Sequence, residues 1–180
     1  MNNDQFSHMY LIFALGIFIC SVILSIGNTA NSHASTPSNS VGEIKRLVFR
    51  IAGDVGVPKS LALALAHAES NFDPDAESHK GARGVMQIMP ATALGEYSIS
   101  AKQLWDPSIN IAIGLHYLRR LINRYNGRTD LALSFYNGGS AVDRLGRHRP
   151  RVIPYTRAYV QKVLTLQRQY QKRIQSGVWR

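Results

Sequence analysis

Glu69 is the residue of this chain best placed to do chemistry. It is the one carboxylate of an Ala/Leu-rich stretch, Lys59 to Glu69, and it falls where that stretch gives way to the polar Ser70-Asn71-Phe72-Asp73. An apolar element that carries a carboxyl group to its own end withdraws it from water. Desolvation disfavours the charged form and raises the pKa, the condition a general acid needs near neutral pH. The Gly-rich run Gly81 to Pro90, GARGVMQIMP, then brings backbone back toward that point. Three more carboxylates follow in the intervening loop: Asp73, Asp75 and Glu77. Asp73-Pro74 has the composition of a turn, and Asp75 and Glu77 are expected to face water.

Other chemistries find little support. The six histidines (His8, His33, His67, His79, His116 and His148) show no metal-ligand spacing, so no metal and no cofactor are expected. The glycines at 81 and 84 precede no Gly-Lys-Ser/Thr, which excludes a phosphate-binding loop of that type. A Ser/His/Asp nucleophile has no signature here.

The pattern Glu69-Ser70, Phe72, Pro74, Ala76, Ser78, Gly81-Ala82, Gly84, Met86-Gln87, Met89-Pro90 closely resembles the core signature of the SLT-type lytic transglycosylases of peptidoglycan, which are lysozyme-like enzymes. Three later segments match in order: DPSINIAIGLHYL at 106–118, ALSFYNGG at 132–139 and TRAYVQKVL at 156–164. The resemblance spans roughly residues 41 to 166.

The resemblance implies an enzyme that cleaves the β-1,4 bond between N-acetylmuramic acid and N-acetylglucosamine and leaves a 1,6-anhydromuramoyl end. Glycoside cleavage commonly uses two carboxyls, and substrate-assisted chemistry is a recognised exception. On the family pattern Glu69 serves alone, first as acid and then as base. Ser78 and Gln87 fall at sugar-contacting positions, Met86 and Met89 line the groove or fill the core, and Tyr136-Asn137 form the family's Tyr-Asn pair. In that pair the Tyr136 phenol is expected to hydrogen-bond to the Glu69 carboxyl. Phe135 replaces the usual Ala before it. Tyr159 matches a groove tyrosine, and Tyr155 stands where a Glu is common. A hydrolase on the same fold and a non-catalytic wall-binding assembly module are the alternatives.

The elements that must position these residues read as helices. Ile44, Leu47, Val48 and Ile51 recur at i, i+3, i+4, i+7, which predicts an amphipathic helix over 41–54. Gly56 and Pro58 break it, and Pro58 suits the first turn of the next helix, Lys59 to Glu69, which is apolar enough to be buried all round. A short helix follows Met89-Pro90. Asp106-Pro107 opens another that runs to about Tyr125 and is ended by Asn126-Gly127. Thr129 is expected to cap a helix over Leu131 to Tyr136, stopped by Asn137-Gly138-Gly139. A last helix starts near Pro154 and carries Tyr159, Val163, Leu166 and Tyr170. The class is all-α, with at most a small β-hairpin around Gly81 to Gln87.

The chain has 180 residues and a net charge of +10, enough for one domain with its own core. From Arg119 onward twelve Arg and two Lys face only Asp130 and Asp143, so the excess lies in the last third. Such a surface fits an anionic cell wall or membrane. Without a nucleic-acid module, a nucleic-acid partner is not expected. Tyr10 to Gly27 is an uncharged apolar run, on the border between a signal-peptide core and a short span. Residues 1–34 are read as a signal peptide cut after Ala34 or as a retained membrane anchor, 35–40 as a linker, and 41–180 as the catalytic domain with a basic C-terminal helix. The sole cysteine, Cys20, lies in the apolar run, so no disulfide framework exists. Export to the periplasm or cell envelope follows from this reading. The small architecture is similar to that of specialised enzymes that open the wall for secretion, pilus or conjugation machinery.

Overall fold

The computed structural model describes residues 41–144 and 150–177, and the apolar run at 10–27, Cys20 and the linker lie outside them. The described residues form α1 (Val41–Val55), α2 (Lys59–Ser70), α3 (Pro90–Tyr97), α4 (Pro107–Arg124), α5 (Thr129–Gly138), α6 (Ala141–Arg144) and α7 (Arg157–Gln175). Single 3-10 turns at Gln103–Trp105 and Pro154–Thr156 precede α4 and α7. The all-α class holds. Where at most a small hairpin was expected, two isolated bridges, Glu77 to Arg83 and Arg83 to Ile88, pin the loop.

Helix α2 is the axis of the fold. Every residue from Ser60 to Ala66 is buried, as its alternating Leu and Ala require, since small Ala side chains let neighbouring helices approach closely. It packs against α7 and against α1. Helix α1 turns Ile44, Val48, Ile51 and Ala52 inward, and α4 packs against both α1 and α5. Pro58 stands just before α2 rather than inside its first turn, and its carbonyl accepts the N–H of Leu61 and Ala62 at 2.9 and 3.0 Å.

Local chemistry sets the remaining boundaries. Asp106 caps α4 by accepting the N–H groups of Ser108 at 2.8 Å and Ile109 at 3.1 Å. Thr129 is the first residue of α5, not its cap, and its hydroxyl donates to the Gly127 carbonyl at 3.4 Å. Helix α5 continues through Asn137 to Gly138 because Gly139, at φ 66°, is the residue that leaves helical geometry. Among the described residues no helix is long and apolar enough to cross a membrane.

Candidate active site

Glu69 occupies the last turn of α2, half-buried, with the buried Leu65 and Ala66 behind it. The chain must turn sharply directly afterwards. Asn71 takes φ 54° and returns its N–H to the His67 carbonyl at 3.1 Å, and Phe72, at φ 67°, returns its N–H to Ala66 at 3.4 Å. A positive φ is costly for a bulky residue. Burial of the Phe72 ring against His67 and Tyr170, with centroids at 5.6 and 6.4 Å, offsets that cost and locks the turn. Ser70 adds a tie from its hydroxyl to the Val85 carbonyl at 2.9 Å, which joins the helix end to the Gly-rich loop.

Helix α7 supplies the group that holds Glu69. The Tyr159 hydroxyl donates a hydrogen bond to Glu69 Oε1. Burial pushes the Glu69 carboxyl from its ordinary 4.5 up to about 7, against the opposing influence of the Tyr159 hydroxyl and of the Lys162 ammonium group. Burial drives the Tyr159 phenol well up, and the charge of Glu69 adds to that, so Tyr159 stays protonated and can act only as a donor to the carboxylate.

This corrects the expectation for Tyr136. Its hydroxyl donates to the Met86 carbonyl at 2.9 Å, and a phenol has one proton to give. Tyr136 still stands close enough to Glu69 for the carboxylate charge to raise its pKa, after burial, and its ring lies 5.6 Å from that of Tyr117. It therefore fixes the loop beside Glu69 rather than the Glu69 carboxyl itself. Phe135 turns the other way, 6.3 Å from Tyr125 and beneath the Arg124 guanidinium at 5.1 Å.

Met86 is a second correction. Its side chain is fully buried against Gly114, where an added Cβ would come within 2.6 Å of the Met86 Cβ. Met86 is core, not groove. Met89, at the start of α3, is 40% exposed and can line a groove. Asn137 is exposed near the end of α5.

Gln87 takes φ 47° and spends both amide N–H bonds on the Ala76 and Gly84 carbonyls, each at 3.0 Å. Its amide oxygen is left to accept. Ser78 accepts the Ala82 N–H at 3.0 Å, which braces the loop and leaves its hydroxyl proton to donate. Asp73, Asp75 and Glu77 are exposed: Asp73 accepts the Asp75 N–H at 2.9 Å, and Glu77 pairs with Arg83 at 3.1 Å.

One loop-holding residue escaped the sequence reading. Asn110 is wholly buried on α4, accepting the Met86 N–H at 2.8 Å and donating to the Arg83 and Leu104 carbonyls at 2.8 and 3.0 Å. Gly84, at φ 71°, makes room for it, because a Cβ there would lie 2.5 Å from the Asn110 amide nitrogen. The signal was present: an amide between Ile109 and Ile111 on a buried helix face must have partners. The Ser134 hydroxyl, hydrogen-bonded to Thr156 at 2.7 Å, similarly ties α5 to the start of α7.

The transglycosylase SLT domain family matches residues 46–149. The chain is 36% identical over 133 residues to the soluble lytic murein transglycosylase of Escherichia coli strain K12, covering 63% of this chain and 21% of that protein. It is also 36% identical over 109 residues to the membrane-bound lytic murein transglycosylase C of Edwardsiella ictaluri, covering 52% and 30%. The structure of an inactive mutant of the lytic transglycosylase Slt from Pseudomonas aeruginosa superposes with a TM-score of 0.64 at 31% identity, over 73% of this chain and 24% of that one. The chain thus spans between a fifth and a third of the relatives it matches. The family match runs from within α1 through α6 and includes Glu69 and its loop, and this chain belongs to the transglycosylase SLT domain family.

Proposed function

We propose that this protein is a lytic transglycosylase that cleaves the β-1,4 bond between N-acetylmuramic acid and N-acetylglucosamine and leaves a 1,6-anhydromuramoyl end. The observation that carries the reading is the state of Glu69: a half-buried carboxyl, raised to about 7, oriented by one phenol.

The steps balance on this one residue. Protonated Glu69 gives its proton to the glycosidic oxygen as the bond to the anomeric carbon breaks, and the substrate's own N-acetyl oxygen bonds to that carbon. The Glu69 carboxylate then takes the proton of the C6 hydroxyl. The C6 oxygen closes on the anomeric carbon, displaces the N-acetyl oxygen, and Glu69 is protonated again. No water is consumed, and no second protein carboxylate is called for. Tyr159 holds Oε1, which leaves Oε2 to exchange the proton. Gln87 through its amide oxygen, Ser78, Met89 and Asn137 are the groups offered to the sugars, and Tyr136 secures the loop that carries the first of them.

The substrate lies in the cell envelope, so the reading includes export, with residues 10–27 as the exporting or anchoring segment. The basic last third fits retention on an anionic wall, which rising salt should weaken by screening. Local opening of the wall for a secretion, pilus or conjugation machine is the finer reading, supported by the resemblance alone.

Digestion of purified sacculi with mass analysis of the products tests the reaction. Muropeptides with 1,6-anhydro ends are the expected result. Products heavier by one water would identify a hydrolase, and intact sacculi would leave a wall-binding module.

A further inference from the structure

We propose that Lys162 is a positioning residue for Glu69: its ammonium group, bonded to the Ala68 carbonyl, fixes the end of α2 and stabilises the carboxylate that Glu69 becomes after giving up its proton. The inference rests on Glu69 being the acid.

The last carbonyls of α2 take their donors from different places. Phe72 gives its N–H to Ala66 and Asn71 gives its N–H to His67, so the turn that ends the helix bypasses Ala68. A helix ends with carbonyls that have no intrahelical donor. Lys162 Nζ supplies the donor for Ala68, at 2.9 Å, from α7. Lysine is favoured at such a position because its charge also opposes the negative end of the helix dipole.

Lys162 lies one turn beyond Tyr159 on α7, so one helix face grips two consecutive residues, Ala68 by the ammonium and Glu69 by the phenol. No acidic residue lies on α7. The ion pairs among the described residues join Arg83 to Glu77, Arg120 to Glu96, Arg124 to Asp143 and Arg128 to Asp130, and Lys162 is in none of them. Its charge is therefore directed at the end of α2, where it acts on Glu69 and on His67.

The other groups facing this point are phenols and cations. Tyr159 of α7 and Tyr136 of α5 face Glu69. His67 of α2 itself bonds to Tyr170 at 3.0 Å and feels Lys45 of α1 and Arg173 of α7. Burial, followed by those cations and Lys162, lowers the His67 pKa, so near pH 7 His67 is neutral and Lys162 is the cation acting on the carboxylate. A nearby cation eases the release of the proton and steadies the carboxylate that follows, while making that carboxylate a weaker base for the C6 hydroxyl.

The test is a carbon-13 NMR titration of the Glu69 carboxyl in the full chain, with the pH profile of kcat/KM on sacculi beside it. Lys162→Gln keeps a hydrogen-bond donor without the charge, and Lys162→Arg keeps the charge. In Lys162→Gln the Glu69 midpoint should rise by about 0.5 unit, the high-pH limb of the rate profile should move with it, and Lys162→Arg should restore both. The difference between native and Lys162→Gln should shrink as salt rises from about 50 to 500 mM, which a purely structural role would not predict. A native midpoint in Lys162→Gln, or no recovery in Lys162→Arg, overturns the proposal. Glu69→Gln separates the two levels: if it keeps activity, Glu69 is not the acid. If it is inactive while Lys162→Gln titrates as native, only the role of Lys162 fails.

Discussion

Four carboxylates lie between Glu69 and Glu77, and the fold gives the first an environment unlike that of the other three. Glu69 is set at the end of a buried helix, gripped by Tyr159 and raised to about 7. Asp73, Asp75 and Glu77 stand in water on the following loop, Asp73 tied to the backbone N–H of Asp75 and Glu77 to Arg83. The same functional group is pushed toward its protonated form or left as a loop tie according to whether a helix has carried it out of solvent. Chain proximity decides nothing.

The largest break in that comparison comes from neutralising each carboxylate in turn. Glu69→Gln should lower muropeptide release by at least about 100-fold to 10,000-fold, the range for lost acid/base catalysis. Asp73→Asn, Asp75→Asn and Glu77→Gln should each stay within about threefold of native, below 1 kcal/mol in barrier. A tenth of native activity in Glu69→Gln, or collapse in a loop variant, would reverse the assignment.

The two tyrosines sharpen it next. Tyr159→Phe removes a hydrogen bond to a charge-bearing group, worth roughly 1.5 to 3 kcal/mol, so turnover should fall about 10-fold to 150-fold. Glu69 should also titrate higher, because the bond that favours its carboxylate is gone. Tyr136→Phe instead strands the Met86 carbonyl, and its main effect should be a loss of about 1 to 2 kcal/mol in denaturant unfolding. Equal rate losses without any stability change in Tyr136→Phe would put both phenols on the acid.

These tyrosines also mark where the sequence stopped being readable. The apolar run of α2 and the turn residues after it were enough to place Glu69, and capping chemistry placed most helix ends within a few residues. Which phenol meets Glu69 depends on how α5 and α7 dock. Tyr159 lies 90 residues away in the chain, and both tyrosines sit beside helix ends that local patterns place equally well. Met86 illustrates the same limit: Gly114, 28 residues on in α4, admits its side chain, and Gln87 beside it takes a positive φ that the local pattern does not announce. Asn110, by contrast, could have been read as a buried amide in need of partners.

Glu69 should also cost the fold stability at neutral pH. Its folded pKa, about 7, lies above the ordinary 4.5 of an unfolded chain. Below pH 4.5 both states are protonated and the shift contributes nothing unfavourable. As pH rises from 4.5 to about 7 the unfolded chain releases the proton first, and stability is lost across that window. At about 1.36 kcal/mol per unit the full cost is near 3 kcal/mol, and partial access to solvent reduces it to about 2. Glu69→Gln, which has nothing to ionise, should match the native protein at pH 4 and exceed it by about 2 kcal/mol at pH 8 in denaturant unfolding. A difference that does not vary with pH would mean the carboxyl is not desolvated.

The smallest effect belongs to Glu77. Its ion pair with Arg83 spans 3.1 Å, but the Glu77 side chain is 45% exposed, and exposed pairs are worth roughly 0 to 1 kcal/mol. Arg83 has other anchors: it donates to the Ala101 carbonyl at 3.1 Å and lies over the Trp105 ring at 5.1 Å. The backbone of Arg83 is further held by the Asn110 amide and by its pairing with Ile88. Losing the carboxylate therefore removes one of several restraints. Glu77→Gln should change unfolding free energy by less than about 0.5 kcal/mol at low salt, and salt near 1 M should erase the difference by screening the pair. A larger, salt-resistant loss accompanied by reduced turnover would place Glu77 in the site, and the division between the helix-borne acid and the loop carboxylates would fail at that residue.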